Sequence, residues 1–483
     1  MGLLDPPFRQ PTKVQNWARS MRNPRSVFPV MAAPPTVTFG NGASTVNPSY
    51  QNGSTVVPST DASRMTLRGS VFVPTAMAGG FTAMTPSHIS NADGSKGSKN
   101  APLRACFLTD ANAVDFCFLD KSFSQFGLVI DRQFAARQKM ATFTNTGNYR
   151  YIKGDFGADI VTYSKAQTAF AIAAQGTGYV VGDSITLNGG SGAAGGTPCT
   201  VKVTQVGAGG VVQQVDTVNP GNYTAQPTGT MVQTSTTGVG TGLQLTAQFF
   251  SPIHSTKAMR LWEMVWSEPA VFMGIVVPPD ATVIALPENT KVPRCLFIGD
   301  SITIGTYVDY AAGHWAAGLA QRLDLWDNFI INGIGGTGYL ASTQPWSSDQ
   351  RIADFLSCAP EIVVIEGSQN DTGSDATQLK NAVVKVLNAL LSYSPNLLIA
   401  GVGPIIGASA SLSNNIKQGF MAASDQRRVI YIDNQSPYSW NPAVSNAAWT
   451  VTSDSNHPAP AGQDRFRDIQ AYHVMNAFRS MAG

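Results

Sequence analysis

The stretch GDSIT occurs twice and places two serines, Ser184 and Ser301, where a nucleophile could stand. A serine hydroxyl attacks a carbonyl efficiently only when a general base within hydrogen-bond reach removes its proton. Ser301 follows the apolar run CLFI, which predicts a buried strand, and precedes a segment that predicts a helix. It therefore lies at the carboxyl end of a strand, where open α/β sheets bind ligands and where free backbone N–H groups can meet an oxyanion.

Ser184 lies in a different setting. Its copy of the stretch continues into LNGGSGAAGGTP, which predicts turns and no helix. The Gly- and Thr-rich segment around it, residues 168–248, contains no histidine. We therefore interpret Ser184 as a turn or strand residue.

The general base for Ser301 can be sought among five histidines, and only one of them has a carboxylate three residues upstream. His457 follows Asp454 in SDSNHPAPAG, so one loop can carry both groups and Asp454 can orient the imidazole. This pair precedes the predicted C-terminal helix. A structural role is favoured for the other four histidines, His88, His254, His314 and His473.

The segments that must position these residues alternate between strands and helices from about residue 290 onward. Short apolar runs predict five strands, in RCLFI, NFIIN, EIVVIEG, NLLIAGV and VIYID. Between them, ATQLKNAVVKVLNALLSY carries its leucines and valines on one helical stripe, and GQDRFRDIQAYHVMNAFRSM predicts a final helix. This alternation indicates an α/β domain over residues 289–483, with a five-stranded parallel sheet between two helical layers.

The earlier part of the chain indicates β-structure. Short runs bounded by Gly, Asn, Asp or Pro predict a jelly-roll-like β-sandwich over residues 66–167 and 249–288. The nearly uncharged residues 168–248 predict a small all-β module inserted into that sandwich. Residues 1–65, rich in Pro, Asn and Ser, are predicted to form an extended arm or attachment segment.

Composition excludes several classes of function. Only 13% of the 483 residues are charged and the net charge is +2, which gives no basis for binding nucleic acid or an anionic membrane. No apolar stretch is long enough to span a bilayer, and the N-terminus has no run of signal-peptide length, so we expect a virion or extracellular protein released by lysis. The five cysteines lack metal-ligand spacing and are interpreted as buried thiols.

Residues 293–483 resemble the SGNH, or GDSL-type, hydrolases. Four sequence blocks typical of that family occur in the correct order: FIGDSITIG, INGIGGTGY, EGSQND and DSNHP. They supply Ser301, Gly336 (with Gly335 as a neighbouring option), Asn370, Asp454 and His457. The third block departs from the family pattern, because Ser368 stands two places before the asparagine where the family has glycine.

The resemblance implies a serine esterase with a Ser301–His457–Asp454 triad. It also implies an oxyanion hole built from the Ser301 N–H, the Gly336 N–H and the Asn370 amide. Such a mechanism needs no cofactor and no metal.

A sandwich placed before such a domain resembles carbohydrate esterases that remove acetyl groups from polysaccharides. With the Gly/Thr-rich module, the whole chain resembles a bacteriophage tail spike or tail fibre deacetylase. That resemblance implies an acetylated capsule or O-antigen as substrate. It also implies a homotrimer attached to other tail proteins.

Two other functions remain open. One is a secreted or metagenomic esterase or lipase acting on small or lipid esters, and the other is a non-enzymatic tail adhesin. The predicted loops GGTGYLASTQPWSSDQ and NQSPYSWNPAVSNAAW mix aromatic residues with amides, which suits sugar rings better than acyl chains. The competing interpretation is that these aromatic residues are simply packed against the core.

Overall fold

The structure is a computed structural model of the chain. It describes residues 12–41, 55–77, 82–90, 101–119, 125–139, 149–156, 165–166, 170–189, 198–219, 221, 229–246, 249–250, 259–267, 270–278, 281–308, 310, 312–405, 409–434 and 457–482. None of the described helices is long and apolar enough to cross a membrane. All five cysteines are buried, as predicted.

The described part of the chain contains helices and strands with the following bounds. The helices are α1 (Lys13–Ser20), α2 (Trp315–Arg322), α3 (Asp349–Ser357), α4 (Ala376–Tyr393), α5 (Ala410–Met421) and α6 (Pro460–Met481). The first strands are β1 (Thr36–Asn41), β2 (Thr55–Pro58), β3 (Thr66–Arg68), β4 (Phe72–Ala76), β5 (Thr82–Pro86), β6 (Leu103–Thr109), β7 (Ala113–Leu119), β8 (Gln125–Ile130), β9 (Gln133–Lys139) and β10 (Tyr149–Asp155). They are followed by β11 (Lys165–Ala166), β12 (Ala171–Thr177), β13 (Ser184–Leu187), β14 (Cys199–Val206), β15 (Val212–Asn219), β16 (Thr230–Thr236), β17 (Thr241–Thr246) and β18 (Phe249–Phe250). The last strands are β19 (Arg260–Trp266), β20 (Val271–Val277), β21 (Val283–Ala285), β22 (Cys295–Gly299), β23 (Phe329–Gly333), β24 (Ile362–Glu366), β25 (Leu398–Val402) and β26 (Val429–Ile432).

Two antiparallel sheets form the β-sandwich. One has the strand order β1-β10-β7-β20-β2, and the other has the order β21-β6-β19-β8-β9, with β3 also paired to β6. Buried aromatic side chains from both sheets meet in its core, including Phe116, Trp262, Trp266 and Phe272. Apolar burial on the inner faces holds the two sheets together.

A third sheet comes from the Gly/Thr-rich segment. Its order is β12-β17-β16-β13-β14-β15, and it has its own apolar core. The short strands β11 and β18 pair antiparallel where the chain enters and leaves this module. Strands on either side of the pair, β10 and β19, belong to the sandwich, so this sheet interrupts the sandwich strands in sequence.

The C-terminal region is the predicted α/β domain. Its five strands are all parallel in the order β23-β22-β24-β25-β26. Alternate residues of β22 enter opposite cores: Phe297 packs with α2 and α6, whereas Leu296 packs with α3, α4 and α5. A strand that is apolar on both faces must be covered on both faces, which explains the three layers. The fold class predicted from the sequence is therefore confirmed for this region and for the all-β region before it.

The N-terminal segment differs from the extended arm predicted for residues 1–65. Thr12 and Gln15 form a capping box that begins α1, and the indole of Trp17 donates a hydrogen bond to the Leu323 carbonyl. Trp17 also packs edge-on against Phe478 of α6. Farther along, β1 and β2 join a sandwich sheet. Most of the described N-terminal residues thus pack against the other domains, because their few apolar side chains are buried there.

Buried polar groups join the sandwich to the α/β domain. Arg104 of β6 is fully buried, and its guanidinium lies over the rings of Trp326 and Phe329 at 4.8 and 4.4 Å. The Trp326 indole donates to the buried carboxylate of Glu263, on β19, at 2.8 Å. The ring of His88 lies 2.9 Å from the Ile331 carbonyl oxygen, and burial lowers its pKa to about 4. This neutral His88 has the structural role that the sequence favoured.

Candidate active site

Ser301 lies immediately beyond the carboxyl end of β22. The chain turns sharply there, and a side chain at Gly299 would collide with the Thr303 hydroxyl, since a Cβ atom would stand 1.9 Å from it. Successive turn hydrogen bonds follow, from the Ile304 N–H to the Asp300 carbonyl and from the Thr306 N–H to the Ser301 carbonyl. Ser301 is therefore held on a tight loop at the edge of the sheet and remains half-buried.

The structure brings His457 to Ser301, although the two residues are 156 positions apart. The distance from His457 Nε2 to Ser301 Oγ is 2.8 Å, which is hydrogen-bond reach. His457 stands just before α6, and Gln463 in the first turns of that helix accepts a hydrogen bond from the Trp315 N–H at the start of α2. This link fixes the beginning of α6, and with it His457, against the element that follows the nucleophile loop.

Asp454, the predicted third member of the triad, lies outside the described residues. Its role therefore stays a prediction. For Nε2 to accept the serine proton, the ring must carry its proton on Nδ1, which is the tautomer that a carboxylate at Nδ1 would favour.

The glycine block follows β23, the strand that pairs with β22, and its Gly335 lies next to Ser301. A Cβ atom placed on Gly335 would stand 3.6 Å from the Ser301 Cβ, so the backbone at Gly335 packs directly against the nucleophile. Gly336 has a φ of +73°, in the left-handed region that favours glycine. The structure thus places Gly335 beside Ser301 and gives Gly336 a glycine-specific backbone conformation. It leaves the choice of Gly336 as the oxyanion donor a prediction.

The Asn370 side chain is engaged by two acceptors. Its Nδ2 donates to Asp300 Oδ2 at 3.1 Å and to the Thr337 carbonyl at 2.9 Å. Both N–H groups of the amide are thus used, and one must leave its acceptor before Asn370 can stabilise an oxyanion. The predicted role of Asn370 requires this exchange.

Ser368, the departure from the family pattern, belongs to the same network. Its hydroxyl lies 2.9 Å from the Thr337 carbonyl and 3.2 Å from Asp300 Oδ2, and it also accepts a hydrogen bond from the Asn370 N–H. A hydroxyl at this position therefore joins the second and third blocks to Asp300. Sequence reasoning did not foresee this function of the serine.

Two fully buried carboxyl groups lie beneath the nucleophile loop, and sequence analysis missed both. Burial raises the pKa of Asp300 to about 6, although hydrogen bonds from Ile302 and Ser368 and the charge of His457 oppose the rise. Burial and the nearby charge of Asp300 hold the pKa of Glu366 well above its usual range. Glu366 Oε2 accepts a hydrogen bond from the Thr303 hydroxyl at 2.7 Å. One negative charge, on Asp300, is therefore expected near neutral pH, with Glu366 protonated.

A third acid, Asp371, ties two of the site loops together. Its carboxylate accepts three backbone hydrogen bonds at 2.8–2.9 Å, from the N–H groups of Tyr339, Leu340 and Ala341. Burial raises its pKa despite these bonds. Asp371 follows Asn370 in the sequence, so the block that carries Asn370 is fixed to the loop after β23. The Asn-Asp pair in EGSQND was a signal from which this acid could have been found.

The aromatic residues predicted to line a sugar site are buried in the loop after β23. Tyr339 and Trp346 are both inaccessible to solvent, and their rings pack edge-on at 4.8 Å. The Trp346 indole donates to the Thr337 hydroxyl at 2.8 Å. The competing interpretation, packed aromatics, is therefore correct for this loop. The second predicted loop, NQSPYSWNPAVSNAAW, lies outside the described residues except for Asn434.

The remaining candidate residues lie away from this contact. Ser184 begins β13 and pairs with Lys202 of β14 in the inserted module. His314 caps the N-terminus of α2 through its ring nitrogen, and His473 lies within α6. His254 is outside the described residues. Among the residues that the structure describes, no group of three or more His, Cys, Asp or Glu side chains is arranged to hold a metal ion.

Replacing Asp371 by Asn should lower kcat for p-nitrophenyl acetate about hundredfold, because an amide offers one acceptor oxygen where three N–H donors converge and misplaced catalytic groups lose rate steeply. The matched control is Asp375→Asn. Asp375 caps α4 from an exposed position, and asparagine caps helices equally well. The control should keep the wild-type kcat. A wild-type kcat in Asp371→Asn would show that this acid does not position the site.

Comparison with known proteins bears on the same region. Residues 297–465 match the GDSL-like Lipase/Acylhydrolase family. A comparison with curated protein sequences found no match. Among solved structures, the chain is similar to the salicylyl-acyltransferase SsfX3 from a tetracycline biosynthetic pathway, with a TM-score of 0.56 and 11% identity over 89% of this chain and 99% of that chain. This likeness concerns the fold alone.

Lower TM-scores relate the chain to two family two carbohydrate esterases. For the enzyme from Cellvibrio japonicus the TM-score is 0.46, with 11% identity over 89% of this chain and 99% of that chain. For the one from Clostridium thermocellum, solved in complex with cellohexaose, the TM-score is 0.42, with 12% identity over 78% and 92%. The family match rests on its own and includes both residues of the 2.8 Å contact. Residues 297–465 are therefore similar to the GDSL-like Lipase/Acylhydrolase family, in the part of the chain that forms the parallel sheet.

Proposed function

We propose that the protein is a serine esterase that removes O-acetyl groups from a bacterial surface polysaccharide. The observation that carries the proposal is the 2.8 Å contact between His457 Nε2 and Ser301 Oγ. A serine in reach of an imidazole can attack an ester, and acyl-ester hydrolysis is the activity for which the matched family is named.

The reaction proceeds in two proton-coupled steps. Ser301 Oγ attacks the acetyl carbonyl while its proton moves to His457 Nε2. The tetrahedral intermediate collapses, His457 gives the proton to the departing sugar oxygen, and the acetyl group stays on Ser301. Water then attacks this acyl-enzyme, loses a proton to His457, and releases acetate as the proton returns to Ser301. Asp454 is proposed to hold the His457 ring on its far side.

The oxyanion of each intermediate is proposed to bind the Ser301 N–H, the Gly336 N–H and the Asn370 amide. Asn370 then exchanges its bond to Asp300 or to Thr337 for one to the oxyanion. A donor to the oxyanion stabilises the transition state by about 3 kcal/mol. For Asn370, the loss of its bond to Asp300 or Thr337 offsets part of that gain.

Substitution of Ser301 by Ala should reduce deacetylation by roughly a millionfold, because the nucleophile is lost. NMR of an O-acetylated capsule or O-antigen preparation, before and after treatment, follows the conversion of bound acetyl to free acetate. Ser184→Ala is the matched control, since it alters the other GDSIT stretch, and it should deacetylate like the wild type. Acetate release by Ser301→Ala would place the chemistry elsewhere and overturn the proposal.

The runner-up function, a lipase or general esterase, differs in the acyl group that it accepts. A site for acetyl esters on a sugar needs little apolar volume, whereas a lipase needs a sizeable apolar groove. Activity on p-nitrophenyl esters should therefore be highest for acetate and fall at least about tenfold by octanoate. A rise with chain length would favour the lipase. Wild-type binding to the polysaccharide with no hydrolysis of any ester would favour the adhesin.

We also propose that the protein works as a virion tail component and assembles as a homotrimer. The low charge of the chain and the Gly/Thr-rich composition of the inserted module support this idea. That module also exposes Val180, Val181 and Val239, whose side chains are 62, 60 and 87% accessible. Light scattering after size-exclusion chromatography should give three times the chain mass of 51.1 kDa. A monomer at micromolar concentration would contradict the trimer.

A further inference from the structure

Tyr307 has an unusual backbone conformation close to the nucleophile. It lies six residues after Ser301 and has a φ of +69°, in a region that a residue with a bulky side chain rarely adopts. Its side chain nevertheless projects outward and is 46% accessible to solvent. Strained backbone of this kind clusters at functional sites, which points to a role for Tyr307 in function.

The Tyr307 ring lies against the catalytic histidine. Its centroid is 5.6 Å from that of the His457 imidazole, and the two planes meet at 67° in an edge-to-face arrangement. Two other exposed tyrosines occur in the described part of the chain, Tyr393 at the end of α4 and Tyr472 within α6. Tyr307 is the one of these three whose ring adjoins the Ser301–His457 pair.

The sandwich holds the loop that carries Tyr307. The Gln125 side chain of β8 is buried and donates a hydrogen bond from Nε2 to the Val308 carbonyl at 2.8 Å. Val308 is itself buried, and its N–H bonds back to the Gly305 carbonyl. Farther along, Tyr310 packs edge-on against Phe134 of β9. Tyr307 is therefore presented from a loop that is fixed on one side by the hydrolase domain and on the other by the sandwich.

The position of Tyr307 relative to His457 indicates which part of a substrate it would meet. His457 Nε2 first takes the Ser301 proton and then gives it to the departing alcohol oxygen, so the alcohol portion of the ester must lie next to that imidazole. A ring that adjoins the imidazole therefore borders the alcohol portion, not the acyl portion. For an acetylated polysaccharide, the alcohol portion is a sugar ring.

We propose that Tyr307 is a specificity-determining residue whose ring packs against the sugar ring of the ester. This proposal rests on the proposed esterase function and deepens it. The C–H groups on one face of a pyranose carry slight positive charge and match the negative face of an aromatic ring. Tyr307 is 46% accessible to solvent, so a sugar ring beside His457 can reach it. Tyr307 thus takes the role that sequence analysis assigned to the buried aromatics of the loop after β23.

The test compares two acetyl esters that share the acyl group and differ in the alcohol. Glucose pentaacetate carries a pyranose ring, and ethyl acetate carries none. Tyr307→Asn removes the ring while keeping a residue that tolerates positive φ. It should lower the ratio of kcat/KM for glucose pentaacetate to that for ethyl acetate about tenfold, the size expected for a lost aromatic contact. Tyr307→Phe keeps the ring and should hold the ratio within about twofold.

Tyr393→Asn is the matched control. It changes an equally exposed tyrosine, 44% accessible, which precedes β25 and so lies at the opposite edge of the parallel sheet. Its kinetics should equal those of the wild type, and thermal melting of each variant monitors folding. An unchanged ratio in Tyr307→Asn, or an equal loss on both esters, would overturn the proposal, because the ring would then act on His457 alone. A wild type that cleaves neither ester would instead remove the proposed esterase function, and this inference with it.

Discussion

The hydrogen bond between His457 and Ser301 is the constraint on which the active site depends. It spans 156 positions of sequence, so local structure cannot create it. The parallel sheet creates it, because each βα connection returns to the same edge and the loops after its strands meet there. The link between Gln463 and the Trp315 N–H then sets where α6 begins relative to α2. Catalytic geometry in this domain is therefore a consequence of helix packing on one face of the sheet.

The buried negative charge of Asp300 complements the positive charge that develops on His457 in the proposed reaction. In the proposed mechanism His457 becomes positive when it takes the serine proton, and among the described carboxylates Asp300 interacts electrostatically with it. Burial keeps water from screening that attraction. Glu366 lies close enough to Asp300 for the charge of one to raise the pKa of the other. Ionising both buried carboxyl groups would place two like charges together at a large cost in free energy. The protonated Glu366 thus leaves Asp300 as the single negative charge of this pair, and that charge supports the imidazolium.

The sequence predicted what periodicity and block order encode. The α/β domain followed from apolar runs and from the α4 stripe, in which Leu379, Val383 and Leu387 are all buried as expected. The encounter of Ser301 with His457 followed from the positions of both residues at the ends of predicted strands and helices. Side-chain direction could not be predicted in this way. Tyr339 and Trp346 lie in a polar loop and still enter the core, since burial depends on neighbours that are remote in sequence.

Similar limits apply to the N-terminus and to the polar network. The Thr12–Gln15 capping box was visible in the sequence, but eight residues are too few for a stable isolated helix, so α1 depends on the groove that receives Trp17. The bonds of Asn370 to Asp300 and Thr337 depend on three separate loops. A motif can identify such residues. It cannot specify their hydrogen-bond partners, because each hydroxyl or amide has several possible partners that differ little in free energy.

The β-region before the α/β domain contacts the loops that carry the candidate active-site residues. Two loops of the α/β domain make these contacts. In the loop after β22, the Val308 carbonyl accepts a hydrogen bond from Gln125, and in the loop after β23, Gln344 donates a hydrogen bond to the Ser90 carbonyl. These two loops carry the nucleophile and the glycine block. Arg104 lies between the two domains, over the rings of Trp326 and Phe329. Relative motion of the domains would separate this buried cation from the two rings, so the contact holds the domains together. The inserted module, in contrast, forms a sheet and an apolar core of its own, and the two-residue strands β11 and β18 pair where the chain enters and leaves it.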